Sequence, residues 1–110
     1  MSSPGSSELY HPKARLELVE AVEYYRAISP QLSRTFMQTY DQALAEILEF
    51  PEIAPLVPLT DFEVRRRNLG RFPYYIVYIL EPDALYIYAI AHAKRDPTYW
   101  LERLREPGRG

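Results

Sequence analysis

Apolar residues recur along this chain first at helical spacing and later in near-continuous runs, and that change of pattern divides it. After His11-Pro12, the residues Leu18, Ala21, Val22 and Tyr25 fall three or four apart on one face, which predicts a helix. Pro12 suits a first helical turn, because the N–H it lacks would have had no partner there. Glu17, Glu20 and Glu23 lie off most of that stripe and are expected to face water. Ser29-Pro30 stops this helix and starts another, with serine as a good N-cap and proline at the first position inside. In the second helix Leu32, Phe36, Tyr40, Ala43, Leu44, Ile47 and Leu48 form the clearest stripe in the chain. It must end near Phe50, because Pro51 disfavours a helical conformation in the residue before it. Two long helices with so short a link predict an αα-hairpin.

The pattern then changes. Pro51, Pro55 and Pro58 keep the next stretch irregular. Val64 to Leu69 is expected to be a strand, and Gly70-Arg71-Phe72-Pro73 turns the chain. Tyr74–Leu80 and Leu85–Ala91, rich in aromatic and β-branched residues, read as two strands joined by a tight turn at Glu81-Pro82-Asp83-Ala84. Glu8-Leu9-Tyr10 is a further short strand, and Pro97 opens a short C-terminal helix from Thr98 to about Arg105. The order β-α-α-β-β-β predicts an α+β fold, with the helix pair on one face of a small, mainly antiparallel sheet.

The last two strands are apolar at nearly every position. Strict alternation sends Leu85, Ile87, Ala89 and Ala91 to one face and Tyr86, Tyr88, Ile90 and His92 to the other. Helices cover only one face. The other needs the C-terminal helix, with Tyr99, Trp100 and Leu104, or a partner chain.

Composition narrows the class. A chain of 110 residues, 47% apolar and 25% charged, is expected to form a single globular domain, here over 8–106. Residues 1–7 read as a flexible tail without the basic and apolar regions of a secretory signal. With no cysteine there is no thiolate metal site, and His11 and His92 are too far apart in sequence to suggest a metal. No cofactor is expected. No apolar run is long enough for a membrane span, so a cytoplasmic location is expected by elimination. The net charge of −2 argues against a generically basic nucleic-acid binder. Positive charge is instead local, at Arg65-Arg66-Arg67, Arg71, Lys94 and Arg95.

That locality directs attention to the end of the last strand, where His92, Lys94, Arg95 and Asp96 follow the apolar run at once. His92 could be a general base, with Arg71 and Arg95 stabilising a phosphate. It could equally be a strand-end histidine bonded to neighbouring backbone or to Asp96. Arg95-Asp96 could form a local ion pair, and Asp96 is well placed to cap the last helix. Alternation sends Arg65 and Arg67 to one face of their strand and Arg66 to the other. Such charges discourage edge pairing and also suit an acidic partner. The many tyrosines read mainly as core and sheet packing, although tyrosine is also a good interface residue.

The element order, with Tyr10-His11-Pro12-Lys13-Ala14, Tyr24-Tyr25, Ser33-Arg34-Thr35-Phe36, Arg71-Phe72-Pro73-Tyr74 and His92-Ala93-Lys94-Arg95-Asp96-Pro97-Thr98-Tyr99-Trp100, resembles the RelE/ParE superfamily of toxin–antitoxin toxins. The branch it resembles is the ParE-like, plasmid-stabilisation one. The resemblance implies a cognate antitoxin, acidic and partly disordered, that neutralises the toxin in a hetero-oligomer. It implies DNA gyrase as the target of ParE-like members, against messenger RNA on the ribosome for RelE-like ones. The fold does not choose between these.

Only two lysines, Lys13 and Lys94, depart from the lysine-rich face of a ribonuclease, and an acidic chain binds RNA weakly. The expectation is therefore a toxin that binds rather than cleaves. Its expected functional surface is Arg65, Arg67, Arg71, Tyr86, Tyr88, His92, Lys94 and Arg95. The alternatives are an mRNA endonuclease using His92, Arg71 and Arg95, or a degenerate, inactive toxin.

Overall fold

Ser29 sets the hairpin geometry with a single residue. In the computed structural model, which describes residues 8–58 and 60–105, helix α1 (Pro12–Ile28) and helix α2 (Pro30–Glu49) share it as a cap. Its N–H donates to the Tyr25 carbonyl at 2.9 Å, closing α1. Its Oγ accepts from the Leu32 N–H at 3.3 Å, opening α2. Pro30 follows at the first helical position, as expected. At the other end of α1, His11 caps the helix, its Nδ1 accepting from the Lys13 N–H at 3.1 Å. Phe50 ends α2 in a non-helical conformation before Pro51. The expected tail at 1–7 and the end of the expected domain at residue 106 lie outside the described residues.

The sheet has four strands: β1 (Glu8–Tyr10), β2 (Arg65–Asn68), β3 (Tyr74–Leu80) and β4 (Leu85–His92), in the order β1-β4-β3-β2. β1 runs parallel to β4, and the other pairs are antiparallel. The fold is thus α+β in the expected order. β2 is shorter than the stretch Val64 to Leu69, because those two end residues are fully buried but outside the ladder. Helix α3 (Thr98–Leu101) runs into a 3-10 turn, Glu102–Arg105. Among the described residues, no helix is long and apolar enough to cross a membrane.

The strict alternation expected of β4 fails at its middle. Val77 pairs with Ala89 but the next residue, Tyr78, pairs with Ile87, so Tyr88 is an extra residue on β4. This β-bulge reverses the parity of everything after it. Leu85, Ile87 and Ile90 face the helices with Tyr78, Ile76 and Phe36, whereas Tyr88, Ala89 and Ala91 face the opposite side. Ile90 and the two alanines therefore lie on the faces opposite to those expected. The second face is covered by the chain itself: Trp100 and Leu104 pack there on Tyr75, Val77 and Tyr88, with Val57 and Val64 beside them. Trp100 Nε1 donates to the Tyr75 hydroxyl at 3.2 Å within this second core.

Candidate functional site

Two turns leave the sheet at one end. In the first, Gly70 takes φ +58°, a left-handed conformation that a side chain resists, and the Leu69 N–H returns to the Tyr74 carbonyl at 3.0 Å. The turn leaves Arg71 exposed and buries Phe72. The second turn continues β4. The ladder closes with Tyr74 opposite His92, and the Ala93 N–H donates to the Pro73 carbonyl at 2.8 Å. Arg71 therefore stands on one turn, and Lys94 and Arg95 on the turn stitched to it, all three exposed.

Behind these cations lies a cleft of about 160 Å³, with Glu20 and Tyr24 of α1, Tyr74, His92, Arg95 and Tyr99 around it and Ile90 at its base. His92 Nδ1 accepts from the Lys94 N–H at 3.1 Å, so the neutral ring carries its proton on Nε2. Its ring meets Tyr74 edge-on, 5.0 Å between centroids. The Arg95 guanidinium lies over the Tyr99 ring at 3.7 Å. Burial raises the Tyr74 phenol above its ordinary range, helped by Tyr24 and Glu20. Burial, then Glu17, pushes Tyr99 up to about 12 against the pull of Arg95 and Arg103. Both hydroxyls stay protonated at neutral pH, where they can donate. The cleft thus offers phenols, an imidazole and a guanidinium beside the carboxylates of Glu17 and Glu20, a mixed polar lining.

The expected Arg95–Asp96 ion pair does not form among the described residues. Asp96 Oδ1 instead accepts from the Thr98 N–H at 2.9 Å and the Thr98 hydroxyl at 2.5 Å, in the turn that leads into α3, whose N-cap is Pro97. Those bonds hold its carboxyl below the usual carboxylate range.

Other expected site residues are placed elsewhere. Arg65 lies opposite Tyr78 and Arg67 opposite Ile76, on the helix side of the sheet. Tyr78 is four residues along β3 from Tyr74, or about 13 Å. Arg65 Nη1 donates to the carbonyls of Glu52 and Ala54 at 3.0 and 2.7 Å. Arg67 pairs with Glu46 at 2.5 Å and also donates to the Asn68 carbonyl. Arg66, on the other face as expected, stacks 3.7 Å over Tyr75. Tyr88 offers no surface: it shares the second face with Tyr86, as alternation expects, and is fully buried there in the second core. Tyr86 packs against it with the rings tilted, 4.7 Å between centroids, and is half-buried.

One pairing had no sequence signal. Glu17, expected in water, reaches the free outer edge of β4 beyond β1 and meets Arg103 of the C-terminal turn at 2.5 Å. Its Oε1 also accepts from the Ile90 N–H at 3.0 Å, while Arg103 Nη1 donates to the Tyr88 carbonyl at 2.8 Å. The pair thereby bonds backbone groups of β4 beyond the point where β1 ends. A pair 86 residues apart is invisible to helical periodicity.

A family model for the ParE toxin of the type II toxin–antitoxin system parDE matches residues 9–97. The chain is similar to a solved structure described as the chromosomal ParDE TA system from P. aeruginosa, at 18% identity and a TM-score of 0.67. That match covers 84% of this chain and 100% of the other, and it shows the shared fold. No curated protein matches the chain.

Proposed function

The chain belongs to the ParE toxin family of type II toxin–antitoxin systems, and from that footing we propose that it poisons by binding its target rather than by cleaving RNA. The proposed target is DNA gyrase in the cytoplasm, and a cognate antitoxin neutralises the toxin by covering its functional surface. The observation that carries this reading is the division of the cations. Arg65, Arg67 and Arg103 are engaged by carbonyls and carboxylates of the same chain. Arg71, Lys94 and Arg95 stand exposed on two stitched turns beside His92. An endoribonuclease needs cations converging on one phosphate and a base poised for the 2′-hydroxyl. A set of exposed cations on adjoining turns suits a protein surface. The docking set is accordingly narrowed to Arg71, His92, Lys94 and Arg95, with the phenols of Tyr74 and Tyr99 behind them.

The test is to induce the toxin alone in bacteria and follow chromosomal integrity and total mRNA over minutes. The expected result is DNA breaks with intact mRNA, and loss of toxicity in Arg71→Ala/Lys94→Ala. Rapid mRNA loss without DNA damage, abolished by His92→Ala, would instead establish the endonuclease, with His92 acting through Nε2.

A further inference from the structure

The end of the molecule away from these cations is apolar at its centre and acidic at its rim. Where α2 stops, a groove of about 240 Å³ runs between Ile47, Phe50, Ile53, Ala54 and Tyr78, with the Glu46–Arg67 ion pair at its side. A second hollow of about 320 Å³, against the β3–β4 turn, meets it at Ile47 and brings in Leu80. Ile53 is 77% exposed, Phe50 53% and Leu80 49%. Phe50 and Ile53 thus share one groove, and Leu80 lines the hollow that adjoins it at the buried Ile47.

It is also held rigid. The Tyr78 hydroxyl donates to the Pro51 carbonyl at 2.8 Å, Arg65 donates to the carbonyls on either side of Ile53, and the Arg66 N–H donates to the Pro55 carbonyl at 3.2 Å. Little ordering remains to be done when a partner arrives.

Charge selects the partner. The last turn of α2 carries Glu46 and Glu49 and no base, where the helix dipole already places negative charge. Glu52 and Asp83 are exposed beside it. Arg67 neutralises Glu46, but Glu49, Glu52 and Asp83 have no base within ion-pair reach among the described residues. We infer that this groove docks an amphipathic helix with aliphatic anchors at i and i+4 and lysine or arginine along its flanks. That is the opposite charge from the acidic antitoxin that the family resemblance implies, which suits the basic end, so this is a second, separate partner surface.

The experiment titrates the full chain with a fluorescein-labelled synthetic peptide of about four helical turns, leucine on one face and lysine elsewhere. The expected result is saturable binding that weakens at least about tenfold in Ile53→Ser and in Glu49→Lys/Glu52→Lys. Amide shifts should be confined to residues around Phe50, Ile53 and Leu80, with affinity falling steeply as salt rises. Ile53 is so exposed that Ile53→Ser should keep the parent circular dichroism and Tm. Arg71→Ala, at the other end, should leave binding unchanged. The inference fails if the peptide does not bind, if a glutamate-for-lysine peptide binds as well, or if Arg71→Ala weakens binding as much as Ile53→Ser. It also fails if sedimentation shows a dimer that Ile53→Ser dissolves, since the occupant is then a second copy.

Discussion

Glu17→Ala tests how the C-terminal segment is held. Glu17 and Arg103 have side chains only 14% and 6% exposed, so removing the carboxylate leaves a guanidinium largely out of water. Breaking a buried pair from one side costs about 3–5 kcal/mol. Arg103 keeps its bond to the Tyr88 carbonyl at 2.8 Å, which favours the low end. The Ile90 N–H loses its acceptor, which costs about 1–3 kcal/mol where no water replaces it. The expected net loss is about 3 kcal/mol, a large share of the 5–15 kcal/mol typical of a domain. At roughly 4–8 °C per kcal/mol for a chain near this size, Tm should fall by roughly 10–25 °C.

Thermal unfolding measures the global loss, and the emission of Trp100, now buried at 1% exposure, reports whether the second core opens first. Amide exchange at Ile90 should speed up beyond that of Ile76 on the helix side. Glu17→Met/Arg103→Met removes both charges together, so it should be less destabilised than the sum of the single changes, by up to about 3 kcal/mol. It should still fall short of the parent, because the Tyr88 carbonyl and the Ile90 N–H lose their side-chain partners. A Tm change under about 4 °C for Glu17→Ala, or additive single changes, would refute the reasoning and leave the pair a surface contact of little weight.

Other perturbations isolate single links. Gly70→Ala should cost about 1–2 kcal/mol by denaturant titration, because φ +58° is left-handed; the new methyl meets Thr39 only at ordinary contact distance, so the loss is one of conformation. Ser29→Ala removes the α2 cap without touching the backbone bond that closes α1, and should cost about 1 kcal/mol. Alkaline pH acts through the tyrosines: Tyr99 rises from 10.0 to about 12, so the folded chain keeps a proton that the unfolded chain loses. That stabilisation is complete below pH 10 and disappears as pH rises through 12; urea midpoints at pH 8 and pH 11 should show the decline, smaller in Tyr99→Phe.

Local chemistry makes most of the fold legible in the sequence. Ser29-Pro30, Phe50-Pro51 and the turn at Glu81–Ala84 punctuate the chain through proline's fixed φ and missing N–H, which act within a few residues. The parity of β4 was not legible, because a bulge is a property of two strands together. Nothing within Leu85–His92 distinguishes Tyr88 as the extra residue until Tyr78 and Val77 are laid beside it. Glu17 was misplaced for the same reason. Its helix position points to solvent by periodicity, but β1 ends at Tyr10 and leaves the edge of β4 open at the height where Glu17 arrives.

The arginines show where reading a site from sequence stops. Arg65, Arg67, Arg71 and Arg95 look alike as cations near an apolar run, yet their donors meet different surroundings. Arg65 finds two carbonyls of a proline-bounded loop, Arg67 a glutamate one helix away, and Arg95 a tyrosine face, while Arg71 stays on a turn fixed by Gly70. Each outcome depends on strand register and loop path, which no local pattern encodes. The result is a molecule polarised along its sheet, with exposed cations at the His92 end and, at the α2 terminus, the exposed carboxylates of Glu49, Glu52 and Asp83, which have no ion-pair partner among the described residues. A single partner cannot satisfy both ends through charge of one sign. The toxin's surface is therefore organised for two encounters, and a substitution at one end should leave the other intact.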